Sequence, residues 1–400
     1  MYSKILVALD GSEYSLIGGA IALELAKNIG AEVIAAHIFD ARLHSVRFRE
    51  MESTLPSKYQ DQNTLKELRD AHNDLIFEGF EALSKGYMEQ FLEKARENGV
   101  FVSQIQKEGR NYIQLLQIAE DQNINLIVLG AHGLGNLNDG NTGSNMNRVV
   151  RLARCDVLIA RRNPEKCTTI IGIDGSGEAS GALRRAMVWS RTFGTSLHLV
   201  SAYDPFFHIN VFKTMAYSLS PERQKEVGLI KQESLHEDII DDGLGKLYRE
   251  YLDLAYAKCK GMDVECHLLQ GKAFRKIIDY GREVAADFIV LGRFGHHRND
   301  ISQIGSTSES VARLSQTNVL ITGAASNHEQ SSNEKTHVTI EWDDDAQARL
   351  DRIPHFARPM ARQTIENCVL SKGGTKVTLA DFQEIAQRFG MGSRKESGNE

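Results

Sequence analysis

The chain repeats itself at the length of a whole domain, and this constrains its fold more than any other feature. ILVALDGSEYS at 5–15 is answered by IIGIDGSGEAS at 170–180, and LIVLGAHG at 126–133 by FIVLGRFG at 288–295. RVVRLARCDVLIA at 148–160 is answered by SVARLSQTNVLIT at 310–322. Asp174 follows Asp10 by 164 residues and Gly292 follows Gly130 by 162. Solenoid units are far shorter, about 20–50 residues. The pattern is a tandem duplication of a domain.

Each copy alternates short apolar runs with helical periodicity. In the first copy the strands read KILVAL (4–9), EVIAAHI (32–38), VFVSQI (100–105), NLIVLG (125–130) and DVLIA (156–160). Helices are expected near 13–29, 64–98, 111–121 and 144–153. The second copy predicts strands near 169–173, 195–201, 263–268, 287–292 and 318–322. Runs that are apolar on both faces belong to a parallel sheet covered by helices on both sides. Strand–helix alternation then makes each copy a doubly wound α/β domain. Both copies have an enlarged link after the second strand. In residues 40–98 an apolar stripe (Leu65, Leu68, Leu75, Ile76, Phe80, Leu83, Tyr87, Phe91) recurs at helical spacing. In the second copy Ile240, Leu244, Leu247, Tyr251 and Leu254 do so after a loose stretch from 204 to 239. The expectation is that these stripes pack on the sheet; the alternative is an extension that covers a pocket or the other copy.

The expected division is 1–162 and 166–323 for the two copies, a polar linker at 324–336, a helical unit at 337–392 and a disordered tail at 393–400. Over 400 residues, 47 Lys+Arg against 53 Asp+Glu give a net charge of −6, and 42% of residues are apolar. That is a globular balance with no overall attraction for nucleic acid. No apolar run reaches the roughly 18 residues that span a bilayer, and the N-terminus lacks a signal peptide's apolar region. Five cysteines without a Cys-x-x-Cys pair fit a reducing cytoplasm, each expected as a small buried hydrophobe.

The chemistry-bearing feature follows the fourth strand of each copy. Gly130-x2-Gly133-x9-Gly143-Ser144 is matched by Gly292-x2-Gly295-x9-Gly305-Ser306-Thr307. Glycines let a backbone approach a ligand closely, and a helix beginning at Ser144 or Ser306 offers free N–H groups to phosphate oxygens. The hydroxyls also serve as helix caps. Asp10 and Asp174, after each first strand, lie on the same sheet edge, where doubly wound folds bind ligands. They are placed to accept from a ribose or an adenine amine, or simply to cap the Asp-Gly-Ser turn.

This pattern, in both copies, resembles the ATP-binding signature of the universal stress protein family over residues 1–322. The resemblance implies a five-stranded parallel sheet of order 3-2-1-4-5 in each copy. It implies ATP, with or without Mg2+, as ligand, held by Asp10, Gly130, Gly133, Gly143 and Ser144. In the second copy it implicates Asp174, Gly292, Gly295, Gly305, Ser306 and Thr307. It also implies pairing through the last strands, here DVLIA and NVLIT, within the chain or in a homodimer. Two departures stand out. Asn145 replaces the usual small hydroxyl or β-branched residue. The first loop carries Asp139 and no cation, whereas the second carries His296, His297 and Arg298. On charge alone the second site is expected to bind nucleotide better, and no metal is expected at the histidines.

No Gly-x4-Gly-Lys-Ser/Thr, Gly-x-Ser-x-Gly or His-Glu-x-x-His occurs. The chain is expected to bind nucleotide, as a stress-response regulator, with slow ATP hydrolysis at most. In the C-terminal unit, Asp343–Asp345 begin a helix through Leu350, a second runs over about 358–371, and Thr378 with Asp381 begins a third. Trp342, the run Arg352, Ile353, Pro354, Phe356, Arg358, then Arg362, Glu366, Gly374, Val377 and Thr378 are similar to the small C-terminal domain of the light-independent protochlorophyllide reductase B subunit. That enzyme's iron–sulfur cysteines are absent; Cys368 stands alone. A unit of this size is near the limit for standing alone, so it is expected to dock on an unknown protein partner. An alternative for the whole chain is a scaffold, without nucleotide, that docks a tetrapyrrole or redox enzyme. Arg349, Arg352, Arg358 and Arg362 read as a solvated helix face.

Overall fold

The computed structural model describes residues 2–134, 143–165, 167–227, 243–295, 304–323, 340–351, 358, 362, 365–366, 369 and 374–388, with 207–209, 211–212 and 385–388 described by backbone alone. The expected linker (324–336) and tail (393–400) lie outside the described residues. So do Asp139, His296, His297, Arg298, Arg352, Ile353, Pro354, Phe356, Cys368 and most of the second C-terminal helix.

The first copy runs β1 (Lys4–Ala8), α1 (Glu13–Ile29), β2 (Glu32–Phe39), α2 (Ala41–Met51), α3 (Gln62–Glu97), β3 (Val102–Glu108), α4 (Asn111–Asp121), β4 (Leu126–Gly130), α5 (Ser144–Leu152) and β5 (Asp156–Ala160). The second runs β6 (Thr168–Gly172), α6 (Gly177–Phe193), β7 (Ser196–Tyr203), α7 (Pro205–Tyr217), α8 (Pro221–Glu226), α9 (Gly245–Tyr256), β8 (Val264–Gln270), α10 (Ala273–Glu283), β9 (Phe288–Gly292), α11 (Ser306–Leu314) and β10 (Asn318–Thr322). The ten strands form one sheet in the order β3-β2-β1-β4-β5-β10-β9-β6-β7-β8. Each half is the expected 3-2-1-4-5 parallel sheet. The halves meet where β5 and β10 pair antiparallel, Val157 opposite Ile321 and Ile159 opposite Val319.

The seam is fixed by two reciprocal clasps. Asp156, the first residue of β5, accepts from the Gly323 N–H just past β10 (2.7 Å). Asn318, the first residue of β10, accepts from the Arg161 N–H just past β5 (2.7 Å). Asp156 also accepts from the Tyr2 hydroxyl (2.6 Å) and Arg185 Nε (3.2 Å), and Trp189 donates to the Tyr2 oxygen (3.3 Å). All but Arg185 are buried. Buried polar groups stand in this apolar seam because each has a partner. Two buried arginines close helix ends across it: Arg161 donates to Ala312 O in α11, and Arg293 to Val150 O in α5.

The link differs from expectation. Its first part folds as α2, and of the stripe only Phe91, near the C-terminal end of α3, is buried, with Ser84, Met88 and Ala95 beside it. Leu75 is 69% exposed and Leu83 51%. The reason is length. A helix of 36 residues spans about 54 Å, about twice the reach of the 8-residue β2. The overhanging part pairs with α2 through a Phe48–His72 stack at 4.7 Å, and with Glu52, the residue that caps its C-terminus, through Arg69 (2.7 and 2.8 Å). In the second copy, α7 and α8 occupy much of the stretch read as loose; Ser220 caps α8, with Pro221 at its first turn.

Not every cysteine is buried. Cys155 and Cys259 are largely enclosed, Cys266 is half-buried and Cys167 is exposed. Burial pushes the Cys155 thiol up to about 12, the Asp156 carboxylate adding to it. A thiol held neutral does not alkylate. In a short iodoacetamide pulse on the native chain, labelling is therefore expected at Cys167 and absent at Cys155; equal labelling of both, read by peptide mass, would contradict this packing.

The C-terminal unit has its own small core of Ala346, Ile365, Val369 and Val377. It adds to the expected helices α12 (Asp344–Asp351) and α13 (Leu379–Arg388) a short parallel pair, β11 (Glu341–Trp342) with β12 (Lys376–Val377). Thr378 caps α13 in a reciprocal box with Asp381: the Asp381 N–H donates to the hydroxyl (3.3 Å) and the Thr378 N–H to the carboxylate (3.0 Å). Arg362 is no free surface charge. It lies 5.3 Å over the Trp342 ring and pairs with Glu366 at 2.9 Å, which also accepts from the Trp342 indole.

Candidate functional site

The carboxyl edge of each half is built the same way, starting from Asp-Gly-Ser. Gly11 turns the chain after β1 at φ +76°, and Gly175 does so after β6 at +81°. The Ser12 N–H (3.0 Å) and hydroxyl (2.6 Å) both donate to Asp10 Oδ1. Ser176 repeats this on Asp174 at 2.9 and 2.6 Å. The same serines cap α1 and α6. The turn-capping role expected of the two aspartates is thus present, and it occupies one oxygen. The other, Oδ2, faces the loop after the fourth strand. A Cβ built on Gly133 would lie 2.7 Å from Asp10 Oδ2, and one on Gly295 2.8 Å from Asp174 Oδ2.

The remaining glycines divide by cause. Gly130 presses on α1, where a Cβ would come 2.8 Å from Tyr14 Cβ, and Gly292 presses on Glu178 of α6. Their need is helix–sheet packing. Gly143 donates to Ala131 O (3.0 Å) and Gly305 to Arg293 O (2.9 Å), closing each loop onto its strand end. Each is the N-cap of the following helix and offers it no side-chain acceptor. Among the described residues no side chain caps the first-turn N–H groups of α5 and α11, which stand at the positive end of the helix dipole. Ser144 opens α5, and Ser306 and Thr307 open α11.

In the first copy these pieces surround one cavity of about 410 Å³. Asp10, Gly130, Gly133, Gly143, Ser144 and Asn145 line it beside an apolar wall of Ala36, Ile38, Leu115, Leu129, Met146 and Val149. Among the described residues lining it, Asp10 alone is charged. All five residues expected in the first site therefore meet in one place. In the second copy Asp174 meets Gly295 and Gly305 meets Arg293, while Ser308 donates to Gly292 O (2.7 Å) where the first copy has Met146. Arg293 adds no cation to that site. It is buried in the seam on Val150 O and Cys155 O.

Sequence reasoning missed two contributors. Asn111, the first residue of α4, lines the cavity; its signal was the Gly109-Arg110-Asn111 turn, matched by Gly271-Lys272-Ala273 with φ +135° and +127° at the glycines. Tyr87 of α3 and Tyr251 of α9 lie on the Gly11 and Gly175 turns, where a Cβ would come within 2.3 and 2.6 Å of the rings. Glycine is required there by close approach as well as by φ. Beneath Tyr87, burial pushes the His37 imidazole below its ordinary range; its Nδ1 lies 2.5 Å from Ser84 Oγ.

Comparisons with known proteins agree with this architecture. The chain is 32% identical over 161 residues to universal stress protein YxiE of Bacillus subtilis, covering 40% of this chain and 100% of that protein. The structure of a putative universal stress protein from Pseudomonas aeruginosa UCBPP-PA14 covers 80% of this chain and 93% of its own, at 16% identity and a TM-score of 0.50. A universal stress protein solved in complex with cAMP covers 40% of this chain at 24% identity and a TM-score of 0.26. Residues 342–385 match the family model of the proto-chlorophyllide reductase 57 kD subunit. The universal stress protein family model matches twice, at residues 1–161 and 168–323, and this chain belongs to that family.

Proposed function

We propose that the chain is an ATP-binding regulatory protein of the cytoplasm, in which nucleotide selects a conformation and turnover is slow or absent. The observation that carries this reading is the cavity of about 410 Å³ between Asp10 and the open N-terminus of α5. Its apolar wall suits a base, Asp10 Oδ2 suits a ribose or an exocyclic amine, and the Gly143–Asn145 backbone suits phosphate. The glycine cradle fits such a ligand, because a side chain at Gly133 would fill it. With no cation among the described lining residues, Mg2+ would be the partner for the phosphate charge. The proposed site residues are Asp10, Gly130, Gly133, Gly143 and Ser144, with Asp174, Gly292, Gly295, Gly305, Ser306 and Thr307 as the second set.

In this reading the β5–β10 seam stands in for the pairing of two separate subunits, with domains at 1–162 and 166–323. Residues 337–392 form a partner-docking module, supported by its own core and by its match to a reductase segment. The test is to denature the purified chain and separate the released small molecules by ion exchange. Adenine nucleotide at up to two per chain is expected. A chain that releases none, and binds none when ATP is supplied, would favour the scaffold alternative.

A further inference from the structure

The second copy carries a polar cluster where the first carries core. Strands β7 and β8 pair with His198 opposite Glu265 and Val200 opposite His267. The same register in the first copy sets Ile34 opposite Ser103 and Ala36 opposite Ile105. Tyr280, in α10, holds the place of Ile118 in α4, each seven residues after its helix begins. Ile34 and Ile118 are buried, and Ile105 packs against the core. The fold is therefore satisfied by Ile, Ser, Ile and Ile at these positions. His198, Glu265, His267 and Tyr280 are polar for another reason.

Their geometry is that of a ligand set. The donor atoms of His198, Glu265 and His267 all lie within 4.8 Å of one another. Glu265 Oε2 is 3.0 Å from His267 Nε2, and its Oε1 is 3.9 Å from His198 Nε2. Around a tetrahedral ion with bonds near 2.1 Å, ligand atoms stand about 3.4 Å apart, so small rotations close the set. His198 Nδ1 lies 2.7 Å from the Tyr280 hydroxyl. In the tautomer whose Nδ1–H donates to that oxygen, Nε2 carries the lone pair; it lies 3.9 Å from Glu265 Oε1 and 3.3 Å from Ser196 Oγ, and such a second-layer partner is how a metal-binding histidine is oriented. His198 is enclosed, while His267 is 29% and Glu265 60% exposed at the side chain, leaving an entry path and an open coordination position.

We propose that His198, Glu265 and His267 bind a divalent transition ion of the zinc class, with Tyr280 as a positioning residue. Two imidazoles and one carboxylate favour such an ion over Mg2+ or Ca2+, which prefer all-oxygen sets. The site is separate from the nucleotide cavity and does not depend on it.

The test uses the full chain, stripped with a chelator, titrated with Zn2+ by calorimetry and with Co2+ followed by visible absorption. One equivalent of ion and the intense visible bands of four-coordinate Co2+ are expected. Two variants restore the first copy's residues: Glu265→Ser, at an exposed position, and His198→Ile with His267→Ile. Each should remove that equivalent while circular dichroism stays unchanged. If the double variant fails to fold, Glu265→Ser decides alone. Tyr280→Phe should keep the ion but weaken it roughly 10–100-fold. No bound ion, or undiminished affinity in Glu265→Ser or in the folded double variant, would overturn the proposal.

Discussion

Gly133→Val is expected to abolish nucleotide binding in the first copy while leaving the chain folded. The new Cβ would stand 2.7 Å from Asp10 Oδ2, displacing the one charged group among the described lining residues and filling the cradle. A loss of at least ~100-fold, about 3 kcal/mol, follows if both base and phosphate contacts are disturbed. Gly295→Val should act alike in the second copy, where the Cβ falls 2.8 Å from Asp174 Oδ2, and so should Gly305→Val, whose Cβ lies 3.3 Å from Arg293 O. Gly177→Ala, with nothing within 4 Å of its Cβ, is the control and should bind as the parent does. Fluorescence titration with a labelled ATP analogue reads all four. A Gly133→Val and Gly295→Val double variant that keeps the parent's affinity would remove the site assignment.

Asp156→Ala is expected to be the most destabilising single substitution at the seam. It strands the Tyr2 hydroxyl and the Gly323 N–H without an acceptor and leaves Arg185 without its carboxylate. Breaking a buried charge pair costs about 3–5 kcal/mol; Arg185 is 25% exposed at the side chain, which places the expectation near the lower bound. Asn318→Ala, which also leaves the Arg162 and Asp287 carbonyls unpaired by its amide, should cost about 1–3 kcal/mol. Urea unfolding measures both. Asp156→Ala within 1 kcal/mol of the parent, a shift about that of an ordinary surface substitution, would mean that the clasp does not hold the seam.

What could be read from the chain, and what could not, follows from the range of the forces. The strands were legible because burial on both faces writes continuous apolar runs, as at 126–130 and 288–292. The strand order came with the family pattern, and so did the meeting of Asp10 with Gly133 across more than a hundred residues. The clasps were not legible. Asp156 and Asn318 are ordinary strand-start residues until the antiparallel seam brings each to the other copy's strand end. Nor was the place of Arg293 legible: its guanidinium donates to Val150 O and Cys155 O of the other copy, contacts that exist only once the seam has formed. Helix α3 kept its apolar period beyond the sheet that was expected to cover it, and periodicity alone does not say where a sheet stops. The His198–Glu265–His267 cluster escaped because its members lie on two strands, and only register makes them neighbours.

The central claim is that the paired carboxyl edges hold adenine nucleotide. Calorimetric titration of ATP into the emptied chain, with and without Mg2+, tests it most directly. The account predicts saturable binding of one or two ATP per chain, strengthened by Mg2+ and lost in the Gly133→Val and Gly295→Val double variant. No binding heat at two temperatures, with or without Mg2+, would contradict it.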